Sequence, residues 1–221
     1  MEPINDGDLV RIKRNPREDI SDALNVVIVC LAAAGVSRMV HHMDDGGVLM
    51  GSGLENLKYF TVLSNIFCLA IAIIYLILSV FFRKKCPIIL KLISVSGVAL
   101  TFVIIAFFLA PLYPDLNMYE GSNKFFHLIV PIVAMIEFIM YEQEVRMPFK
   151  YTFIAAIPSL IYGNFYLANC LINGVGEWPE TNDWYGFLNW GYPVGIAIFA
   201  GVVLMNWGIA CLFWLIKRYV K

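Results

Sequence analysis

Six stretches of this chain stay apolar for about the thickness of a bilayer, and that pattern limits its fold more than any motif does. They are Ala23–His42, Tyr59–Phe82, Ile89–Leu112, Phe125–Tyr141, Tyr151–Ile172 and Pro193–Lys217. In hydrocarbon every backbone N–H and C=O must be satisfied within the protein, which a helix does by itself. The chain is 60% hydrophobic and 15% charged, against roughly half and a quarter in a soluble domain. The expectation is an all-α, polytopic membrane protein built as a six-helix bundle. Its 221 residues leave no room for a second large domain. The layout read from the sequence is an N-terminal segment 1–22, one transmembrane domain 23–217, and a loop 173–192 before the last span. Arg38, His41 and His42 make the first stretch the weakest, but its charged leader lacks a small-residue cleavage pattern, so it reads as a retained helix.

Basic residues suggest the orientation. Arg11, Lys13, Arg14 and Arg17 precede the first stretch, and Arg83, Lys84, Lys85 and Lys91 join the second to the third. Arg146 and Lys150 join the fourth to the fifth, and Lys217, Arg218 and Lys221 close the chain, which puts 13 of the 16 Lys and Arg on one side. Only Lys58 and Lys124 lie in the opposite loops. The positive-inside rule then places both termini in the cytoplasm, in the plasma membrane of a bacterium or an internal membrane otherwise. The loop from 173 to 192 would face outward. It carries Glu177, Glu180 and Asp183 without a Lys or Arg, and it is rich in aromatics, with Trp178, Trp184, Tyr185 and Trp190. Such a loop is either an aromatic belt at the headgroups or a lid over a cavity.

The net charge of −1 excludes a basic nucleic-acid surface. The five cysteines (Cys30, Cys68, Cys86, Cys170 and Cys211) are scattered without metal-ligand spacing, so neither a metal nor a cofactor is expected. Polar residues inside the apolar stretches carry the remaining signal. Thr61, Ser64, Asn65 and Cys68 recur at i, i+3, i+4 and i+7, one stripe on an apolar helix. That stripe is either helix–helix glue or the polar wall of a pocket. His127 stands two residues into its stretch, as Thr61 does, so the two should meet at one depth. A neutral imidazole can activate a hydroxyl there, or it can simply bond to a backbone carbonyl. Glu137 is expected near mid-membrane and off the face of His127, as a neutral carboxyl bonded to another helix or as part of a proton path. Asn164, Asn169 and Asn206 are further polar points.

Lys58 to Asn65 around Thr61, His127 with Pro131 and then Glu137, and a Trp-bearing loop before the last span resemble the androgen-induced-protein family of multi-pass membrane hydrolases and its bacterial relatives. The likeness runs from Tyr59 to Lys217. Characterised animal members are threonine hydrolases that cleave fatty acid esters of hydroxy fatty acids. The resemblance implies that Thr61 is the nucleophile and His127 the histidine, with a lipid from the bilayer as substrate. The chain departs from the animal pattern at Ser64, at the proline after His127, and in the loop before Phe187-Leu188. Ser64, Asn65 and Asn164 are candidate oxyanion or pocket groups, and Glu137 is a supporting polar residue. The competing reading is a non-enzymatic lipid-binding or transport protein that uses the same polar residues.

Overall fold

A computed structural model describes residues 15–41, 53–142, 147–177 and 180–219. His42, Trp178 and the basic residues Arg11, Lys13, Arg14, Arg146 and Lys221 lie outside them. The described residues are helical or irregular, with no strand among them. Among the described residues five helices are long and apolar enough to cross a membrane: α1 Pro16–Val40, α2 Phe60–Phe81, α3 Ile88–Leu112, α5 Lys150–Asn173 and α6 Tyr192–Tyr219. Between α3 and α5 lies a shorter apolar helix, α4, Phe125–Tyr141. The protein is therefore a multi-pass integral membrane protein. Its outward surface agrees, since Phe81, Phe107, Phe165, Ile172 and Leu204 are all more than half exposed. In water such a surface would be a large aggregation liability.

The helix α1 begins at Pro16 rather than Ala23, so residues 16–22 belong to it. Asn15 caps the first turn by accepting from the Arg17 N–H at 3.1 Å. Pro16 follows at the first helical position, and Glu18 and Asp19 complement the helix dipole. The centre of the bundle is α3, which packs against α2, α4, α5 and α6. Small residues permit this: Ser94, Ser96, Gly97, Ala99 and Thr101 are on α3, and a Cβ on Gly97 would sit 3.5 Å from that of Ser64. The core runs through Ile28, Ala32, Leu92, Val95, Val98, Val130, Phe138 and Phe213.

The helix α4 is not uniformly α-helical. It opens with a π-turn over Phe125–Ile129, continues as α-helix over Val130–Ile136, and closes with a second π-turn over Glu137–Tyr141. Pro131 explains the first turn. Its ring cannot donate to the carbonyl four residues back, on His127, and would clash with it in a regular α-helix, so the turn widens.

Candidate functional site

The start of α2 is held from outside the helix. A 3-10 turn, Gly53–Lys58, leads into it, and Tyr59 adopts an extended backbone as the cap. The first N–H groups of a helix have no partner within it. Here the Phe60 N–H donates to the Tyr185 hydroxyl at 2.8 Å. The Tyr162 hydroxyl donates to the Lys58 carbonyl at 2.6 Å, and the Trp184 indole N–H donates to the Tyr162 hydroxyl at 3.1 Å. Thr61, the second helical residue, is partly exposed at this end.

The polar stripe faces inward. Ser64, Asn65 and Cys68 are buried, whereas Leu63 and Phe67 on the other face are exposed. Ser64 Oγ lies 3.0 Å from the Thr61 carbonyl and 3.2 Å from the Thr101 hydroxyl of α3. The Asn65 amide donates to the Thr61 carbonyl at 2.8 Å and to the Phe126 carbonyl at 3.1 Å. One amide group thus brings the backbones of Thr61 and of the Phe126–His127 turn within about 6 Å, the sum of those two bonds.

His127 is 2% exposed. Its Nδ1 lies 2.6 Å from the Met118 carbonyl. A carbonyl only accepts, so Nδ1 carries the proton and the lone pair resides on Nε2. Behind it α1 approaches closely, because a Cβ on Gly35 would come within 2.7 Å of the Phe126 ring. Among the described residues no hydrogen bond joins the Thr61 hydroxyl to His127, whose one hydrogen bond found is to Met118.

The aromatic loop folds back over this end. Asp183, 4% exposed, accepts from the Phe187 N–H at 3.0 Å, the Leu188 N–H at 2.8 Å and the Tyr166 hydroxyl. The Gly186 N–H closes a turn onto the Asp183 carbonyl at 2.8 Å, with Gly186 at φ 67° where a side chain would be strained. The turn presents Trp184 and Tyr185 to Tyr59, Val62 and Phe126, and Tyr185 stacks on Phe187 with ring centres 5.1 Å apart. Burial pushes the Tyr185 hydroxyl well above its usual range, so it remains neutral. Trp190, 67% exposed, is the part of the loop that resembles a belt residue.

The three expected oxyanion or pocket residues take other roles. Asn164 is exposed and donates to the Leu160 carbonyl of its own helix at 2.7 Å, so it lines no pocket. Asn65 and Ser64 already direct their hydrogens at carbonyls or at Thr101, which leaves neither free as an oxyanion donor. Glu137 is bonded to two other helices, as a supporting polar residue would be. It pairs with Lys91 and accepts from Ser21 Oγ at 2.5 Å. Lys91 also pairs with Glu142 at 2.8 Å, and its ammonium lies 4.1 Å from the Tyr75 ring centre. Lys91 is 5% exposed, so it is not the loop charge its position in the chain suggests. This cluster lies where α1 and α3 begin and α4 ends, away from His127. Lys217 joins it by donating to the Glu142 carbonyl at 2.5 Å. A cavity of about 20 Å³ beside it, lined by Asn25, Cys68, Lys91, Ser94 and Glu137 among others, has room for one water.

No family model, curated protein or solved structure matches the chain. Sequence reasoning had not found the Met118 carbonyl, which lies in a loop and carries no side-chain signal. Asp183 could have been found: an Asp with Gly three residues later is a turn signature.

Proposed function

We propose that the protein is an intramembrane hydrolase of lipid esters, with Thr61 as nucleophile and His127 as general base. The observation that carries this reading is the tautomer of His127. Its Nδ1–H is fixed on Met118, which leaves Nε2 basic at the end of the bundle where Thr61 begins α2. Nε2 takes the Thr61 hydroxyl proton as Oγ1 attacks the ester carbonyl, and returns it to the departing alkoxide. Water then loses a proton to Nε2 and attacks acyl-Thr61, which releases the acid and restores the threonine. With Asn65 and Ser64 committed to the fold, the positive end of the α2 dipole is the remaining source of oxyanion stabilisation. The Asn65 Oδ1, buried without a partner among the described residues, is an acceptor suited to the hydrolytic water. Fatty acid esters of hydroxy fatty acids are the substrates that the resemblance suggests.

The reading includes α4 as a sixth span. Its 17 residues reach about 25 Å as a helix, at the short end of what a bilayer accepts. With six spans both termini share one side, and Arg83, Lys84, Lys85, Lys150 and Arg218 make that side the cytoplasm. Thiols introduced at Lys85 should label from inside and those at Gly121 and Glu180 from outside; labelling of Gly121 from inside alone would overturn the topology. A fluorophosphonate probe should label the intact protein and not a Thr61→Ala variant. Equal labelling of the two would remove the nucleophile assignment.

A further inference from the structure

The polar groups around the start of α2 share their hydrogens in a fixed order. A phenol has one hydrogen to give. That of Tyr162 goes to the Lys58 carbonyl at 2.6 Å, because a carbonyl only accepts. The Trp184 indole N–H and the Phe60 N–H can only donate, and they reach the oxygens of Tyr162 at 3.1 Å and of Tyr185 at 2.8 Å. What is left over is the hydrogen of Tyr185. Among the described residues its one hydroxyl partner is the Tyr162 oxygen at 3.4 Å, outside the range of about 2.5–3.0 Å for a good O–H···O bond. This spare donor stands beside the nucleophile. Phe60 directly precedes Thr61, about 3.8 Å away along the Cα trace. The Tyr185 ring packs against the cluster of Tyr59, Val62 and Phe126, the last being the residue before His127. Its stack on Phe187 and its edge contact with Tyr59, ring centres 5.1 and 5.9 Å apart, hold the ring, so the hydroxyl needs no reorganisation when charge develops nearby. Burial keeps the hydroxyl protonated.

We propose that the Tyr185 hydroxyl is the oxyanion donor of this site, a catalytic group supplied by the aromatic loop rather than by the helices. The assignment rests on the hydrolase reading. As the bond from Thr61 Oγ1 to the ester carbon forms, the carbonyl π pair moves onto oxygen. Tyr185 donates a hydrogen bond to that oxygen and keeps its proton. When the pair returns to re-form the carbonyl, the alkoxide leaves and takes its proton from His127 Nε2. The same donation recurs when water attacks acyl-Thr61. Tyr185 thus adds a directed hydrogen to the diffuse field of the α2 dipole.

The test measures hydrolysis of a fluorogenic ester, methylumbelliferyl palmitate, by full-length protein in detergent micelles. Tyr185→Phe keeps the ring and its packing but loses the hydrogen. It should lower kcat on the order of 10²–10³-fold, the usual loss for one oxyanion donor. KM should change little, because the ground-state carbonyl carries little charge. Tyr162→Phe removes a hydroxyl that holds Lys58 and Trp184, and should lower the unfolding temperature with a far smaller loss in kcat. Ring-fluorinated tyrosine in place of Tyr185 separates donating from accepting. Fluorine makes the O–H a stronger donor and its oxygen a weaker acceptor for the Phe60 N–H. The fluorinated protein should therefore unfold at a lower temperature yet keep or exceed the wild-type kcat, and this comparison decides alone if Tyr185→Phe does not fold. The assignment is overturned if well-folded Tyr185→Phe keeps kcat within about threefold of wild type, or if Tyr162→Phe loses as much. It is also overturned if fluorination lowers kcat in step with stability, as a mere anchor for α2 would. Those outcomes leave the hydrolase reading standing as long as Thr61→Ala is inactive. A wild-type protein that turns over no ester, or an active Thr61→Ala, ends the hydrolase reading and this assignment with it.

Discussion

Replacing Lys91 with methionine keeps most of the side-chain volume and removes the cation shared by two buried carboxylates. Glu137 and Glu142 have side chains 3% and 8% exposed, so neither can turn to water without moving a helix end. Removing one partner of a buried pair costs about 3–5 kcal/mol, and two stranded carboxylates place Lys91→Met at the upper end. Glu137→Gln should cost less, about 1–2 kcal/mol. Its amide oxygen still accepts from Ser21 and Lys91, and Glu142 still neutralises the ammonium. The double variant, with a single stranded carboxylate, should fall between the two. At about 2–4 °C per kcal/mol for a chain of this size, Lys91→Met should lower the apparent unfolding temperature in mild detergent by roughly 10–20 °C, and Glu137→Gln by roughly 2–8 °C. The decisive comparison is the order. A double variant no more stable than Lys91→Met would mean that the carboxylates do not repel once the cation is gone, and the ionic account of the cluster would fail. So would a Lys91→Met protein within 2 °C of its parent.

Three further predictions concern the site and its supports. Thr61→Ala should abolish lipid-ester turnover, Thr61→Ser should keep part of it, and His127→Ala should slow it on the order of 10²–10⁴-fold; undiminished turnover by well-folded Thr61→Ala protein would end the hydrolase reading. A Cβ on Gly163 would lie 1.3 Å from the Phe199 ring, so Gly163→Val should separate α5 from α6 and cost about 1–3 kcal/mol or more, read as a fall in unfolding temperature that Phe199→Ala partly reverses. Asp183→Ala removes the acceptor for two loop N–H groups and the Tyr166 hydroxyl, and should expose the segment between Gly174 and Gly191 to proteases while α1–α3 stay protected; unchanged cleavage would show that the loop is held by its rings alone.

Hydropathy revealed most of the helices because bilayer thickness leaves few choices of length. The expected stretches around α2, α3, α5 and α6 end within a residue or two of the observed helices, and Phe125–Tyr141 coincides with α4. The start of α1 was missed because Asn15-Pro16 and two acids signal a helix through capping, which hydropathy does not read. Lys91 was counted with the loop charges because its partner, Glu137, lies 46 residues away, and no local pattern shows that contact. Asn164 was overrated because composition does not say which face meets lipid. The hydrogen bond from Phe60 to Tyr185 spans 125 residues, so the loop's composition alone could not distinguish belt from cover.

The two π-turns of α4 have a consequence for how this helix can change. Each holds one residue more than an α-turn would, a local surplus that deletion can absorb. Removing Ile129 would let the turn close as ordinary helix while the segments on either side keep their phase, so Glu137 would stay with Lys91. His127 lies inside the turn and would be drawn off Met118. The bundle would tolerate such a deletion far better than the chemistry would. The surplus residue is therefore a shim under His127, which sets the aim of one side chain without turning the helix beyond it.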